Sequence, residues 1–118
     1  MLFSEEKGGG DWVELQYCFL PEHTPLHKRL SLNRLVFGQI GSLYAEGFSF
    51  CNAYAACLGD GVYENLKSGP LDLCGVNYYP PTAVAPIVER ILAEKPPEYE
   101  TVVRWLEKAA RGFYVMGI

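Results

Sequence analysis

The chain has 118 residues, of which 49% are hydrophobic and 20% are charged. This length predicts a single domain over residues 1–118, and the composition can bury enough apolar surface to fold, which excludes an intrinsically disordered chain. The net charge of −4 at pH 7 argues against a surface built to bind nucleic acid or anionic lipid and favours a basic or neutral partner.

Membrane insertion and secretion are not expected. No stretch approaches the roughly 18 apolar residues that a membrane helix needs, and Glu5 and Glu6 interrupt the start too early for a signal peptide. We therefore expect a cytoplasmic protein, and its oligomeric state stays open. Four cysteines lie among apolar neighbours, which indicates reduced, buried thiols rather than disulfides. They are Cys18, Cys51, Cys57 and Cys74.

The first half of the chain begins with a glycine-rich segment, residues 4–11, which predicts a flexible loop or arm. Residues 12–20 then alternate, with Val13, Leu15, Tyr17 and Phe19 on one side, the pattern of a half-buried strand. Between Pro25 and residue 47 the signals are mixed, because glycines interrupt a helical spacing and residues 35–37 could form a short strand; we favour a helix there, and the structure of residues 31–58 as a whole stays open. Turns are predicted at 59–61 and 68–70, followed by a buried strand over 71–79.

The last 40 residues are easier to interpret. Pro86 must lie in the first turn of a helix, so a helix is predicted to begin between residues 82 and 85 and to end before Pro96. A second apolar stripe begins at Tyr99 and predicts a helix that stops at Gly112. Residues 113–118 should form the final strand.

These elements predict an α+β fold. It would have a small antiparallel sheet with a C-terminal pair of amphipathic helices packed on one face, in the order β-α-β-α-α-β.

The sequence contains few residues that could form a catalytic site or a metal site. The sequence lacks a phosphate loop, a dinucleotide-binding glycine motif, a zinc-protease helix, a serine-hydrolase elbow and a calcium loop. His23 and His27 could share one helix face, but a zinc site needs further ligands. Cys18 or Cys51 with either histidine is the one thiol–base pair that the chain offers. We therefore predict no catalytic residues, no metal and no cofactor.

Two groups of charged residues have ordinary interpretations. Residues 23–34 gather Lys28, Arg29 and Arg34 with the two histidines; they indicate a solvated helix face, with a phosphate or RNA contact as the alternative. The acids Glu46, Asp60, Glu64 and Asp72 lie near predicted turns, where carboxylates commonly form turns and confer solubility.

Aromatic residues outside the predicted core suggest a binding surface. Trp105 lies at the edge of the last apolar stripe beside Glu98, and Tyr78 and Tyr79 should leave their strand on opposite faces. Half-exposed tryptophan and tyrosine next to carboxylates are typical of protein interfaces. The alternative is that these rings cap the rim of the core. With the loop acids Asp60 and Glu64, these four are the predicted partner-binding residues.

The function that these features favour is non-enzymatic protein binding. The leading hypothesis is an inhibitor or immunity-type protein that neutralises a cognate basic protein such as a toxin or nuclease, with an acidic, aromatic surface that covers a positive active site. A small-molecule or nucleotide-binding domain, with tyrosines lining a pocket, is the second hypothesis. A small thiol-dependent enzyme is the third.

Overall fold

An antiparallel sheet and four helices make up the computed structural model, which describes residues 1–30 and 38–117. The predicted α+β class and antiparallel sheet are confirmed. The strands are β1 (Phe3–Ser4), β2 (Trp12–Tyr17), β3 (Leu43–Glu46), β4 (Gly61–Tyr63), β5 (Ser68–Gly69), β6 (Val76–Tyr79) and β7 (Phe113–Met116). The helices are α1 (Leu26–Arg29), α2 (Gly47–Leu58), α3 (Pro81–Glu94) and α4 (Tyr99–Leu106).

The sheet is larger than the sequence predicts. Within the described residues it has seven strands in the spatial order β1-β3-β2-β7-β6-β4-β5, and each neighbouring pair is antiparallel. The predictions of a small sheet and of the order β-α-β-α-α-β are therefore wrong. Strands β1, β4 and β5 have only two or three residues each, too few for alternation to be recognised in a sequence.

Both faces of the sheet are covered along β2. Val13, Leu15 and Tyr17 face the main core that α2, α3 and α4 share, as the alternation predicts. Glu14 and Gln16 point to the other face but are also buried, so the predicted half-buried strand is wrong. A second, smaller core on that face explains the burial. It contains Cys18, Leu30, Val76, Tyr78, Tyr114 and Met116.

Helix α3 ends before Pro96 as predicted, but its start and the end of α4 differ from the predicted boundaries. Helix α3 begins at Pro81, so Pro86 lies inside the helix rather than in its first turn, and one carbonyl near the N-terminus loses its helical partner. Helix α4 ends at Leu106, before the predicted stop at Gly112. Gly112, at φ +87°, instead lies directly before β7, where an added Cβ would overlap the carbonyl oxygen of Tyr79.

The ambiguous middle of the chain contains both kinds of secondary structure. Within the segment left open, 31–58, residues 31–37 lie outside the described residues, and the remainder forms a loop, β3 and α2. The helix favoured before residue 47 is wrong for residues 38–46, which form the loop and β3. The strand predicted over 71–79 starts only at Val76. It pairs antiparallel with β7, as the sequence predicts for these two strands. Of the predicted arm, Ser4 belongs to β1 and residues 5–11 form no helix or strand.

Across residues 1–30 and 38–117, every helix is too short or too polar to cross a lipid bilayer.

Candidate functional site

The three rings predicted to bind a partner are buried. Trp105 is 7% exposed, Tyr78 is 1% exposed and Tyr79 is fully buried, so the expectation that they are half exposed is wrong. Because both sheet faces are covered, leaving β6 on opposite faces exposes neither tyrosine. Tyr79 stacks on Phe113 at 4.8 Å between ring centroids, and Tyr78 packs 5.2 Å from the ring of Tyr114 in the second core.

The predicted acids do not form an exposed surface with these rings, because the rings are buried. Glu98 is the half-buried N-cap residue of α4, and its carboxylate accepts backbone hydrogen bonds from Leu2 and Phe3, which holds β1 in place. Asp60 and Glu64 are exposed on either side of β4. The six predicted partner-binding residues therefore do not form one surface.

A groove of about 800 Å³ lies at another place on the molecule, and we call it the aromatic groove. Four parts of the chain line it: Glu5 of the N-terminal segment, Tyr17 and Phe19 at the end of β2, residues 38–44, and α4 with the turn after it, which contribute Thr101, Arg104, Trp105 and Lys108. Trp105, one of the predicted site residues, therefore belongs to a cavity even though its ring is buried.

Two stacked aromatic rings form the floor of the groove. The rings of Tyr17 and Trp105 are nearly parallel at 14°, with centroids 4.0 Å apart. The Tyr17 hydroxyl donates to the backbone oxygen of Trp105 at 2.6 Å, and the indole N–H of Trp105 donates to the backbone oxygen of Gly41 at 2.7 Å. Burial raises the pKa of Tyr17 to about 12, so its hydroxyl keeps its proton at neutral pH. The floor is therefore rigid and neutral.

A buried carboxylate holds the loop that forms one wall of the groove. Glu14 is 3% exposed, and its oxygens accept from the backbone N–H of Gly38 at 2.9 Å and of Gln39 at 3.3 Å. They also accept from the hydroxyl of Ser42 at 2.6 Å and from the amide of Gln16 at 3.0 Å. The sequence by itself did not indicate that Glu14 holds this loop. A glutamate in the middle of an apolar strand is the signal that could have shown it, since a buried charge needs partners.

The other side of the groove is cationic. Arg104 and Lys108 are four residues apart, so they lie on one side of the helix and its following turn. Both are exposed, and no hydrogen bond or ion pair to another described residue engages either side chain. Glu5 is the acidic residue among the described lining residues. In a chain with a net charge of −4, the groove is thus locally positive.

Exposed apolar side chains complete the groove. Phe19 is 61% exposed and Ile40 is 94% exposed, and both line the cavity. The side-chain oxygen of Gln39 is buried and accepts no hydrogen bond from the described residues. Because this oxygen has almost no accessible surface, a ligand in the groove does not reach it. The groove therefore offers apolar contact and positive charge.

The residues considered for catalysis are not brought together. Of the two thiols considered, Cys18 is buried and Cys51 is half-buried. Cys57 is buried as predicted, and burial raises the pKa of its thiol, which disfavours the nucleophilic thiolate. Cys74 is exposed, so the expectation that all four thiols are buried is wrong. His23 and His27 are exposed, and no hydrogen bond joins either of them to a cysteine in the described ranges. Among residues 1–30 and 38–117, no cluster of three or more His, Cys, Asp or Glu side chains could hold a metal.

Arg29, in the basic cluster predicted at residues 23–34, has a structural role. The guanidinium of Arg29 donates to the backbone oxygens of Glu22 and Thr24 and, at 2.6 Å, to the hydroxyl of Tyr78. Arg29 therefore fixes its own loop to the sheet. Lys28 is exposed, and Arg34 lies outside the described residues.

Comparisons with protein-family models, with curated proteins and with solved structures find no match to this chain, so its own geometry has to carry the functional argument.

Proposed function

We propose that this chain is a non-enzymatic protein-binding domain that holds a segment of a partner protein in the aromatic groove. The observation that supports this proposal best is the exposure of Phe19 and Ile40 at a groove with a rigid aromatic floor. Exposed apolar side chains beside a concave, well-packed surface are typical of protein interaction sites.

Such a domain would act by enclosing a segment of its partner in the groove. A partner segment enclosed in the groove is not accessible to any other molecule, which is how an inhibitor or an immunity protein neutralises its target. We propose this inhibitory role, in the cytoplasm, where the four cysteines stay reduced.

A random peptide library tests this proposal without knowledge of the partner. The probe is a displayed library of peptides of about ten residues, which in extended form span ~33 Å, close to the 34 Å long axis of the molecule. We expect enriched peptides to slow amide hydrogen exchange in residues 38–44 and 101–108. They should lose affinity on Ile40→Ser, and not on Leu92→Ser, a matched change at an exposed apolar residue of α3.

Two results would contradict the proposal. One is a saturated selection from which no peptide protects the groove. The other is an equal loss of affinity on Ile40→Ser and on Leu92→Ser. Ile40 is 94% exposed, so Ile40→Ser should keep its free energy of unfolding within about 0.5 kcal/mol of the parent protein. Leu92 is 47% exposed, so Leu92→Ser should lose more stability, and urea unfolding of both variants distinguishes a folding defect from a lost contact.

A small-molecule-binding domain is the second candidate. The volume of about 800 Å³ lies within the usual range of roughly 300–1,000 Å³ for ligand pockets. A small molecule on the floor would leave the Ile40 side chain in water, whereas a polypeptide crossing the groove covers it. A compound that raises the melting temperature, and does so equally in Ile40→Ser, would favour this second function.

The basic partner indicated by the net charge would dock on a different surface. Asp60, Glu64 and Asp72 are exposed at the side of the sheet where β4 and β5 lie. However, Glu64 accepts from the backbone N–H of Val76 at 3.1 Å, and Asp72 from that of Cys74 at 2.9 Å. Asp72 thus stabilises a local turn and Glu64 joins the end of β4 to β6. The side chains of Arg104 and Lys108 have no hydrogen bond or ion pair with another described residue, so we favour the groove. Binding lost on Asp60→Lys but kept on Ile40→Ser would reverse that preference.

A further inference from the structure

We propose that the occupant of the aromatic groove is an acidic segment of a partner polypeptide that carries an apolar side chain. The inference rests on the proposed function and specifies the chemistry of the partner at that site. Arg104 and Lys108 would pair with its carboxylates, and Phe19 and Ile40 would contact its apolar side chain.

Charge complementarity is the first argument. Acidic residues outnumber Lys and Arg in the chain by 14 to 10, so an exposed cation has many possible partners. Arg104 and Lys108 nevertheless have none among the described residues, although they are neighbours on one side of the groove. Two unpaired cations repel each other and favour a bound anion. An acidic segment supplies that charge at the wall of the groove.

The rim and the loop provide the second argument. Phe19 and Ile40 can bury an apolar side chain of about Leu or Phe size, which contributes about 25 cal/mol per Å² of apolar surface. Carboxylates and an apolar side chain of this size occur together along an acidic polypeptide segment.

The burial of the two floor rings leaves a nucleic acid strand little aromatic surface in the groove. Single strands bind proteins through bases stacked on exposed ring faces. Tyr17 is 8% exposed and Trp105 is 7% exposed, and the two rings stack on each other. One base could stack on Phe19, which is 61% exposed and lines the groove, and the two cations could attract phosphates, so the test includes an oligonucleotide.

The test compares three synthetic peptides of equal length, each with a central Leu and Phe. Their remaining positions are Asp and Glu, or Asn and Gln, or Lys and Arg, and binding is measured by fluorescence anisotropy of a labelled N-terminus. An exposed ion pair contributes at most about 1 kcal/mol, or a factor of about five, so pairs with both Arg104 and Lys108 contribute at most about 25-fold. We therefore expect the acidic peptide to bind about tenfold more tightly than the amide peptide. A (dT) oligonucleotide of the same length is the nucleic acid probe.

Two matched double variants test whether the preference for the acidic peptide arises in the groove. Arg104→Gln with Lys108→Gln should remove the preference for the acidic peptide, whereas Lys28→Gln with Lys67→Gln makes the same change in net charge at exposed positions outside the groove and should keep it. The inference is overturned if both double variants behave alike, if the three peptides bind equally, or if the oligonucleotide binds as tightly as the acidic peptide.

The outcomes also separate the two proposals. Library peptides that protect residues 38–44 but show no acidic excess overturn the acidic segment and leave the groove as the binding site. Peptides that protect no part of the groove overturn the proposed function itself.

Discussion

Replacing Glu14 by glutamine tests whether the buried carboxylate holds the wall of the groove. Glutamine has nearly the same shape, but one of its two oxygens becomes a donating amide group. The less costly orientation places that amide toward Gly38, since the other oxygen of Glu14 accepts from Gln16, Gln39 and Ser42. The Gly38 N–H then loses its acceptor and the three remaining bonds lose the help of the charge.

The expected cost is about 2–3 kcal/mol, since one hydrogen bond to a charged group contributes about 1.5–3 kcal/mol. With a urea m-value of about 1–3 kcal/mol/M, the midpoint of urea unfolding should fall by about 1–2 M. Glu89→Gln, at an exposed position of α3, is the control. Amide exchange at Gly38 and Gln39 should also become faster. A midpoint equal to that of the control, with unchanged exchange at both amides, would refute this account of the loop.

Three further predictions concern the core. Tyr79→Phe should stabilise the protein by about 1 kcal/mol, because the Tyr79 hydroxyl is buried without a partner among the described residues. Tyr54→Phe should destabilise it by about the same amount, because it loses a 2.6 Å hydrogen bond to the backbone oxygen of Pro97. Equal melting temperatures of the two variants would contradict both expectations. Gly112→Ala should cost about 3 kcal/mol or more in thermal unfolding, because φ is +87° and the added Cβ overlaps backbone; a cost under 1 kcal/mol would be inconsistent with this backbone. Burial raises the pKa of Tyr17 from its ordinary value of 10 to about 12, so the folded state keeps a proton that the unfolded state loses. The contribution of Tyr17 to the free energy of unfolding should therefore be constant below pH 10 and be lost between pH 10 and 12, so the decrease in that range should be less steep in Tyr17→Phe; identical slopes would show that Tyr17 contributes nothing.

Periodic sequence patterns predicted the parts of the fold that one segment determines by itself. The stripe of the last helix places Val102 and Leu106 in the core, and the alternation of β2 does the same for Val13 and Leu15. Each pattern identifies the side that faces the core. It does not show whether the opposite side is also covered, because that depends on a segment distant in sequence, as Leu30 does for the second sheet face.

The groove was not predictable for the same reason. Phe19 follows the end of a strand, Ile40 lies in a glycine-rich loop and Trp105 belongs to the last helix. The sequence identified Trp105 as unusual but predicted the wrong surroundings. Its ring lies under Tyr17 and its N–H reaches the oxygen of Gly41, two contacts across long stretches of chain. In the sequence, Glu14 has the position of a solvent-facing strand residue, and its four hydrogen-bond donors become apparent only in the structure.

The stacked floor of the groove also provides a spectroscopic reporter. The chain has two tryptophans, and Trp12 is half-buried at the start of β2, so Trp12→Phe would leave one indole emitter. That emitter forms part of the cavity surface and donates its N–H to the cavity loop. A shift in its emission maximum on titration would therefore report ligand entry in an unlabelled sample, and the quantum yield would follow any separation of the two rings.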